Sequence, residues 1–280
     1  MAKIYIDIGH GGSDSTGTDT GTSGKYNGKT YKENELNLNI GLVVKKTLEQ
    51  YGHTVIVQRT ENVNFGPIIG TYSRADSNLI NSASNCNGTD CDCMISIHNN
   101  AYSSTSARGY VMVYKAGSEA SDDVKKKSKS LCDAIEPYIK KSLPKNDVRQ
   151  SLMSNGQDYY GILRLHNKPG VLIECGFMTN TYDMAVLVNK YSEIGKNIAD
   201  GINQFVGGSI VKDDETKKLK EEIESLKNSN NTLTMKVMTI SSEKQVLTAS
   251  NNMLTERNKL LESQVKSLTD KLTKIKDIVE

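Results

Sequence analysis

Tryptophan is absent from this 280-residue chain and phenylalanine occurs only three times, while Lys, Asn, Ser and Tyr are common. No apolar run approaches the roughly 20 residues that a membrane helix needs, so membrane insertion is not expected. The opening Met1-Ala2-Lys3-Ile4-Tyr5-Ile6-Asp7 lacks the apolar core and small-residue cleavage site of a secretory signal. The expectation is a chain made in, and at first kept in, the cytoplasm. An excess of one charge is missing too. The 35 Lys and Arg against 33 Asp and Glu leave a net charge of +2, which gives no footprint for nucleic acid. A disulfide framework is also missing, because the five cysteines (86, 91, 93, 132 and 175) are odd in number and unevenly spaced. Cys86, Cys91 and Cys93 with His98 would make an irregular structural zinc site. Free thiols in a reducing compartment are the simpler reading.

Three short segments stand out against this background. They are Asp7-Ile8-Gly9-His10-Gly11-Gly12, Ser96-Ile97-His98-Asn99-Asn100 and Val171-Leu172-Ile173-Glu174-Cys175-Gly176-Phe177. Each reads as an apolar strand ending on a residue that can bind metal or move a proton. The carboxyl ends of parallel strands gather at one edge of a sheet, so these residues are expected to meet. Two His, a carboxylate and an open water position make a catalytic zinc site, and a further Glu supplies its base.

The remaining pattern supports such a sheet. Strands are expected at Lys3–Ile8, Thr54–Gln58, Cys93–Ile97, Gly109–Tyr114 and Val171–Cys175. Helices are expected at Glu33–Tyr51, Tyr72–Ser82 and Ser121–Lys141, with one or two more within Asp183–Phe205. Gly9 to Lys32 reads as one long loop, of a length that is usually functional. The alternation predicts an α/β fold, with a mostly parallel or mixed sheet flanked by helices on both faces. Residues 1–208 form this domain and 209–218 a linker.

Residues 219–280 carry an unbroken heptad repeat. Leu219, Leu226, Leu233, Ile240, Leu247, Leu254, Leu261, Leu268 and Ile275 form one seam, taken as d. Ile223, Asn230, Val237, Lys244, Asn251, Asn258, Val265, Leu272 and Val279 form the other, taken as a. This predicts a coiled coil roughly 90 Å long. Leu at d with Asn or Lys at several a positions favours a parallel homodimer. Flanking charges add little: Arg257 can meet Glu262 of a second copy, but Lys271 faces Lys276.

Within the globular part, His10 lies in a Gly-rich turn and His98 ends a strand. Glu33 and Glu35, in the first turn of a helix, compete as the carboxylate ligand; a first-turn acid also suits the helix dipole. Glu174 would be costly at the end of an apolar strand unless it were paired or functional, and a general base fits. Asn99 and Asn100 are of a type that orients substrate or ligands. Asp7 reads as a support for the site or a plain polar strand residue. His53 reads as structural, His166 as a loop histidine, Arg164 as a surface residue or substrate contact, and Lys125-Lys126-Lys127 with Lys129 as a solvated helix face.

Together these motifs resemble the zinc-dependent N-acetylmuramoyl-L-alanine amidases of type 3. The family's Gly-His-Gly-Gly turn stands at Gly9–Gly12, and its Glu-x-x-x-Asn-Leu helix start resembles the segment from Glu33 to Leu38. That register selects Glu33 over Glu35. Thr-Arg at a strand end is similar to Arg59-Thr60, a helix with Arg followed by Ala-Asn to Arg74–Asn78 with Ser77 in place of Ala, and Ser-Ile-His-x-Asn-Ala to Ser96–Ala101. Val-Glu-x-Gly-Phe-x-Ser-Asn resembles Ile173–Asn180. The likeness covers residues 1 to about 206. The chain departs from it in a longer stretch between His10 and Glu33, in the Cys-rich segment before His98, and in the coiled coil.

The resemblance implies one Zn2+ held by His10, Glu33 and His98, with Glu174 as general base and Asn100 as a substrate contact. It implies cleavage of the amide between N-acetylmuramic acid and the L-alanine of the stem peptide, with peptidoglycan as partner. Cytoplasmic synthesis with a wall substrate suggests release by lysis, as for a phage endolysin. A sporulation or autolytic amidase is the second reading, and a zinc peptidase with another substrate the third. From a different class comes a coiled-coil wall-binding scaffold with an inactive head.

Overall fold

The computed structural model describes residues 1–208 and 213–279, with the side chains of its last helix given over 222–274. By its internal contacts the chain divides into two units, Met1–Ile210 and Val211–Glu280.

The first unit is built on β1 (Lys3–Ile8), the short hairpins β2 (Ser13–Asp14) with β3 (Gly17–Thr18) and β4 (Ser23–Tyr26) with β5 (Lys29–Lys32), α1 (Glu33–Gln50), β6 (Thr54–Val57) and α2 (Arg74–Asn87). It continues with β7 (Cys93–Asn100), β8 (Tyr110–Tyr114), α3 (Asp122–Ile139), β9 (Lys145–Arg149), α4 (Gly161–Leu165), β10 (Gly170–Phe177), α5 (Thr181–Asn189) and α6 (Tyr191–Phe205). The six-stranded sheet has the order β6-β1-β7-β10-β8-β9. Its first four strands run parallel; β8 is antiparallel to β10, and β9 follows β8. The expected α/β class holds, as a mixed sheet.

Strand alternation sorts the side chains. Ile4, Ile6 and Ile8, Ile95 and Ile97, and Val171 and Ile173 join a large core with α1, α3, α5 and α6. Tyr5, Met94 and Leu172 point the other way, into a smaller core with Ala83 and Cys86 of α2 and Ile162 and Leu163 of α4. A two-residue period puts Asp7, Ser96, His98 and Glu174 on that second face. The chemistry therefore sits on the thinly covered side of the sheet, at the carboxyl ends of its parallel strands.

Several expectations need correction. Residues 9–32 are not one loop but carry the two hairpins. Asn27 and Gly28, both at positive φ (47° and 76°), turn β4 into β5, and Asn-Gly is a strong hairpin signal. Strand β9 was not foreseen because Lys-Asn-Asp-Val-Arg shows no apolar alternation, and five-residue α4 is too short for periodicity to reveal. Strands β7 and β10 run on to Asn100 and Phe177, and α2 spans Arg74–Asn87 rather than Tyr72–Ser82.

In the second unit, α7 (Asp213–Val279) is one helix of 67 residues. It begins inside the stretch 209–218 expected to be linker, because residues 213–218 contain no Gly or Pro to stop a helix. Residues 209–212 of that stretch lie outside the described residues. So do the side chains of the seam residues Leu219, Ile275 and Val279. From Leu226 to Leu268 every d residue is exposed. No helix among the described residues is long and apolar enough to cross a membrane.

Candidate metal centre

The turn after β1 is pinned from three sides. Arg59, 4 % exposed, donates to the carbonyls of Ile8 (3.0 Å), Gly9 (3.0 Å), Asn34 (2.9 Å) and Glu61 (3.0 Å). Asn37 donates to Gly9 O at 3.1 Å and Asn34 to Gly11 O at 2.8 Å, tying the first turns of α1 to the same loop. His10 itself has φ of 65°, a conformation that non-glycine residues rarely adopt. A Cβ on Gly9 would strike the His98 ring, so only glycine allows the two histidines to approach.

Glu33 opens α1 and reaches over the sheet edge. His10 Nε2 lies 3.1 Å from Glu33 Oε2, and His98 Nδ1 lies 3.0 Å from Glu33 Oε1. Backbone N–H groups of Thr22 (3.0 Å) and Asn99 (3.2 Å) donate to the same carboxylate. Glu35, its competitor, is exposed and accepts from Lys32 N at 3.4 Å, as the N3 residue of a capping box does.

His10, Glu33 and His98 offer ligand atoms that all lie within 4.8 Å of one another, and they could hold a metal ion. Two imidazoles and a carboxylate are a donor set that suits zinc. The electrostatics agree with a site made for a cation. Burial opposes ionising Glu33, yet hydrogen bonds from His10 and His98 hold its pKa far below the ordinary range. Burial disfavours charge on His10, but Asp19 and Glu33 outweigh it and raise its pKa to about 10. His98 is raised as well: burial opposes its charge, and Glu33 prevails.

Asp19 escaped the sequence reading. Its Oδ1 lies 2.7 Å from His10 Nδ1. An ionised carboxylate only accepts, so Nδ1 carries a proton, and Nε2, which faces Glu33 Oε2, is the atom of His10 that could bind a metal. A signal existed: a ligating histidine needs an acceptor on its other nitrogen, and the loop between His10 and Glu33 holds only Asp14 and Asp19 as acids.

Glu174 lies on β10 in register with His98 on β7. It is buried, and its Oε2 makes no hydrogen bond among the described residues. Burial, with repulsion from Glu33, outweighs the attraction of His98 and His10 and raises its pKa to about 7. A cavity of about 370 Å3 opens between these groups, lined by His10, Glu33, His98, Asn100, Tyr160 and Glu174 among others. Asn100 faces it, although its Oδ1 accepts from Ala101 N at 2.8 Å.

Asp7 also lines this cavity, with its carboxylate accepting from Ser82 Oγ and Ser96 Oγ, both at 2.6 Å. The other singled-out residues stand apart. Arg164 donates to the backbone of Asp158 and Tyr159 and does not line the cavity. His166 is buried beside Gly170 and accepts from Lys168 N at 3.1 Å. His53 bridges Ala2 N (3.2 Å) and Asn203 Oδ1 (2.8 Å), a structural tie. Lys125, Lys127 and Lys129 pair along α3 with Asp122, Asp123 and Asp133. All five cysteines are free and buried, and His98 joins His10 and Glu33 rather than the thiols.

Known proteins resemble this chain in sequence and fold. A curated relative, the probable cell wall amidase LytH of Staphylococcus aureus, is 27% identical over 209 residues, which is 72% of this chain and 57% of the relative. The chain thus spans a little over half the length of the curated relatives it matches. Among solved structures, the CwlD amidase of Clostridioides difficile, determined in complex with the GerS lipoprotein, superposes with a TM-score of 0.60 at 26% identity, covering 74% of this chain and 99% of that one. Cwp6 from Clostridium difficile gives 0.60 at 27%, covering 73% and 29%. The family model for N-acetylmuramoyl-L-alanine amidase matches residues 4–204. The chain belongs to the N-acetylmuramoyl-L-alanine amidase family.

Proposed function

We propose that residues 1–208 form a zinc-dependent hydrolase that cuts peptidoglycan at the amide between N-acetylmuramic acid and L-alanine. The observation that carries this reading is the meeting of His10, Glu33 and His98 within 4.8 Å, beside a buried Glu174 with a free carboxylate oxygen. His10 would ligate through Nε2, with Asp19 on Nδ1, and Glu33 and His98 would complete the protein's share. Zinc, when bound, supplies a Lewis acid that makes water nucleophilic near neutral pH and polarises a carbonyl. Glu174 takes the proton of the attacking water at Oε2 and delivers it to the leaving alanine nitrogen. A pKa near 7 suits a group that must both accept and release a proton. Asn100, at the cavity wall, is placed to hold the substrate's polar groups.

The test is a turbidity assay on purified peptidoglycan with amine and mass analysis of the products. New L-alanine amines should appear with wild type, vanish on chelation, return with zinc, and be absent with Glu174→Ala. Zinc-loaded wild type that cuts no peptidoglycan tried would favour the inactive-scaffold reading, and cleavage elsewhere in the stem would favour a peptidase.

The same proposal gives α7 a second copy of itself as partner, in a parallel coiled-coil dimer. An apolar seam exposed from Leu226 to Leu268 supports it, since a stripe of that length does not stay in water. Asn230, Lys244, Asn251 and Asn258 at a positions would disfavour higher oligomers. Release by lysis, as for an endolysin, is checked separately. Cells expressing the chain should stay intact until their membrane is permeabilised, then lyse.

A further inference from the structure

The Arg74-x-x-x-Asn78 segment of α2 has no part in the chemistry above. We propose that Asn78 is a positioning residue for the metal ligand His10, acting through Asp19. The inference rests on the zinc reading and extends it to a helix that supplies no ligand.

Asn78 is 2 % exposed and its amide is fully used. Oδ1 accepts from Arg74 Nη2 and from Phe65 N, both at 2.8 Å. Nδ2 donates to Asp19 Oδ2 at 2.8 Å and to Asn64 Oδ1 at 3.1 Å. Two donors on one end and two acceptors on the other fix which way the amide faces. The donor end must point at Asp19. The other oxygen of Asp19 takes the proton on His10 Nδ1 at 2.7 Å. Arg74 donates to Asn78, and Asn78 and His10 both donate to Asp19, so the four residues form one connected set of hydrogen bonds from the core of α2 to His10.

The backbone reinforces that set. Gly11 N donates to Asp19 O at 2.9 Å, and Asp19 N donates to Gly12 O at 2.8 Å. His10 is held at positive φ between these contacts. A ring on such a turn keeps its Nε2 aimed at Glu33 only while Nδ1 is anchored, and the anchor is itself oriented by Asn78. Groups behind a ligating histidine typically change metal affinity by about 10–100-fold.

The experiment measures the zinc dissociation constant of the full chain by chelator competition, for wild type, Asn78→Ala, Asp19→Asn and Asn81→Ala. Asn81 is the control. It lies on the same helix and holds the same loop, donating to Phe65 O (3.1 Å) and Pro67 O (2.8 Å), and it makes no bond to Asp19. Asn78→Ala and Asp19→Asn should each weaken zinc about 10–100-fold. The isosteric Asp19→Asn can accept from His10 only by turning its NH2 toward the Asn78 donor, so it tests the same link with little change in shape. The pair should be non-additive when combined, because both break one connected set of bonds.

Asn81→Ala should lower the thermal midpoint of the metal-free protein, as Asn78→Ala does, yet keep wild-type zinc affinity. Wild-type affinity in Asn78→Ala, or equal weakening in Asn81→Ala, would overturn the inference and leave the zinc reading standing. If Asn78→Ala does not fold, wild-type affinity in Asp19→Asn overturns it instead. A wild-type chain that binds no zinc removes the metal reading, and this inference with it.

Discussion

Glu174 and His98 are register partners on adjacent parallel strands, and both face the side of the sheet covered by α2 and α4. A carboxyl group there stands next to a candidate metal ligand, yet among the described residues its Oε2 has no hydrogen-bond donor. The sheet enforces the proximity, and apolar Leu172, Ile162 and Leu79 line the same cavity. Burial then lifts the pKa to about 7.

Glu174→Gln should abolish hydrolysis and stabilise the metal-free protein at the same time. The folded pKa of about 7 lies above the 4.5 of a solvent-exposed glutamate, so the folded state holds the proton longer. Stability from this group is complete below pH 4.5 and is lost as pH rises through 7, costing about 3 kcal/mol at pH 8. Glutamine removes that cost. Urea unfolding with chelator present should show the variant more stable than wild type at pH 8 and no more stable at pH 4. Equal stability at pH 8 would mean that Glu174 is not buried as a charge.

Zinc should raise the unfolding midpoint. At 100 times its dissociation constant a ligand specific to the folded state adds about 2.7 kcal/mol. For a domain of this size that is a shift of roughly 5–10 °C. Thermal scans of chelated and zinc-restored protein read it directly. Glu33→Gln should erase the shift, since the carboxylate contacts both His10 and His98. A shift that survives Glu33→Gln would place the metal elsewhere.

Much of this site was legible in the sequence because its parts end strands. His10, His98 and Glu174 each follow an apolar run, and parallel strand ends meet by topology alone. The choice of Glu33 over Glu35 came only from family resemblance; in the structure, Glu35 bonds the backbone of Lys32 while Glu33 turns inward. Asp19 was hidden because its contact depends on how the Gly-rich stretch folds back, through the pairing of Gly11 and Gly12 with Asp19, and loop conformation has no periodicity to read. Strand β9 was hidden for a related reason, as an edge strand of polar residues carries no buried face to announce it.

Arg59→Ala should cost about 3 kcal/mol or more, because three buried carbonyls and the part-buried one of Glu61 lose a charged donor together. Arg59→Lys should recover little, since an ammonium lacks the planar fork that reaches Ile8, Gly9 and Asn34 at once. Urea midpoints of the two variants check this. The same carbonyls belong to the turn that carries His10, so zinc affinity should fall with stability. A lysine variant as stable as wild type would mean that water or a neighbour already satisfies the turn.

Removing residues 213–280 should leave a folded, active monomer that acts more weakly on intact walls. The buried side chains that make the two cores all belong to residues 4–202, so the truncation deletes none of them. It does delete the exposed seam from Leu226 to Leu268. A dimer on a polymeric substrate gains from holding two sites at once, and overall avidity can exceed single-site affinity by about 10²–10⁴ when both engage. Light scattering should report a dimer for the full chain and a monomer for residues 1–212. Activity on a soluble muropeptide should be equal for the two, because the site is complete in one copy, while activity on whole sacculi should favour the dimer. If the truncated protein stays dimeric, the first unit has its own interface. If the truncated protein alone loses activity on the soluble substrate, the rod supports the catalytic fold itself.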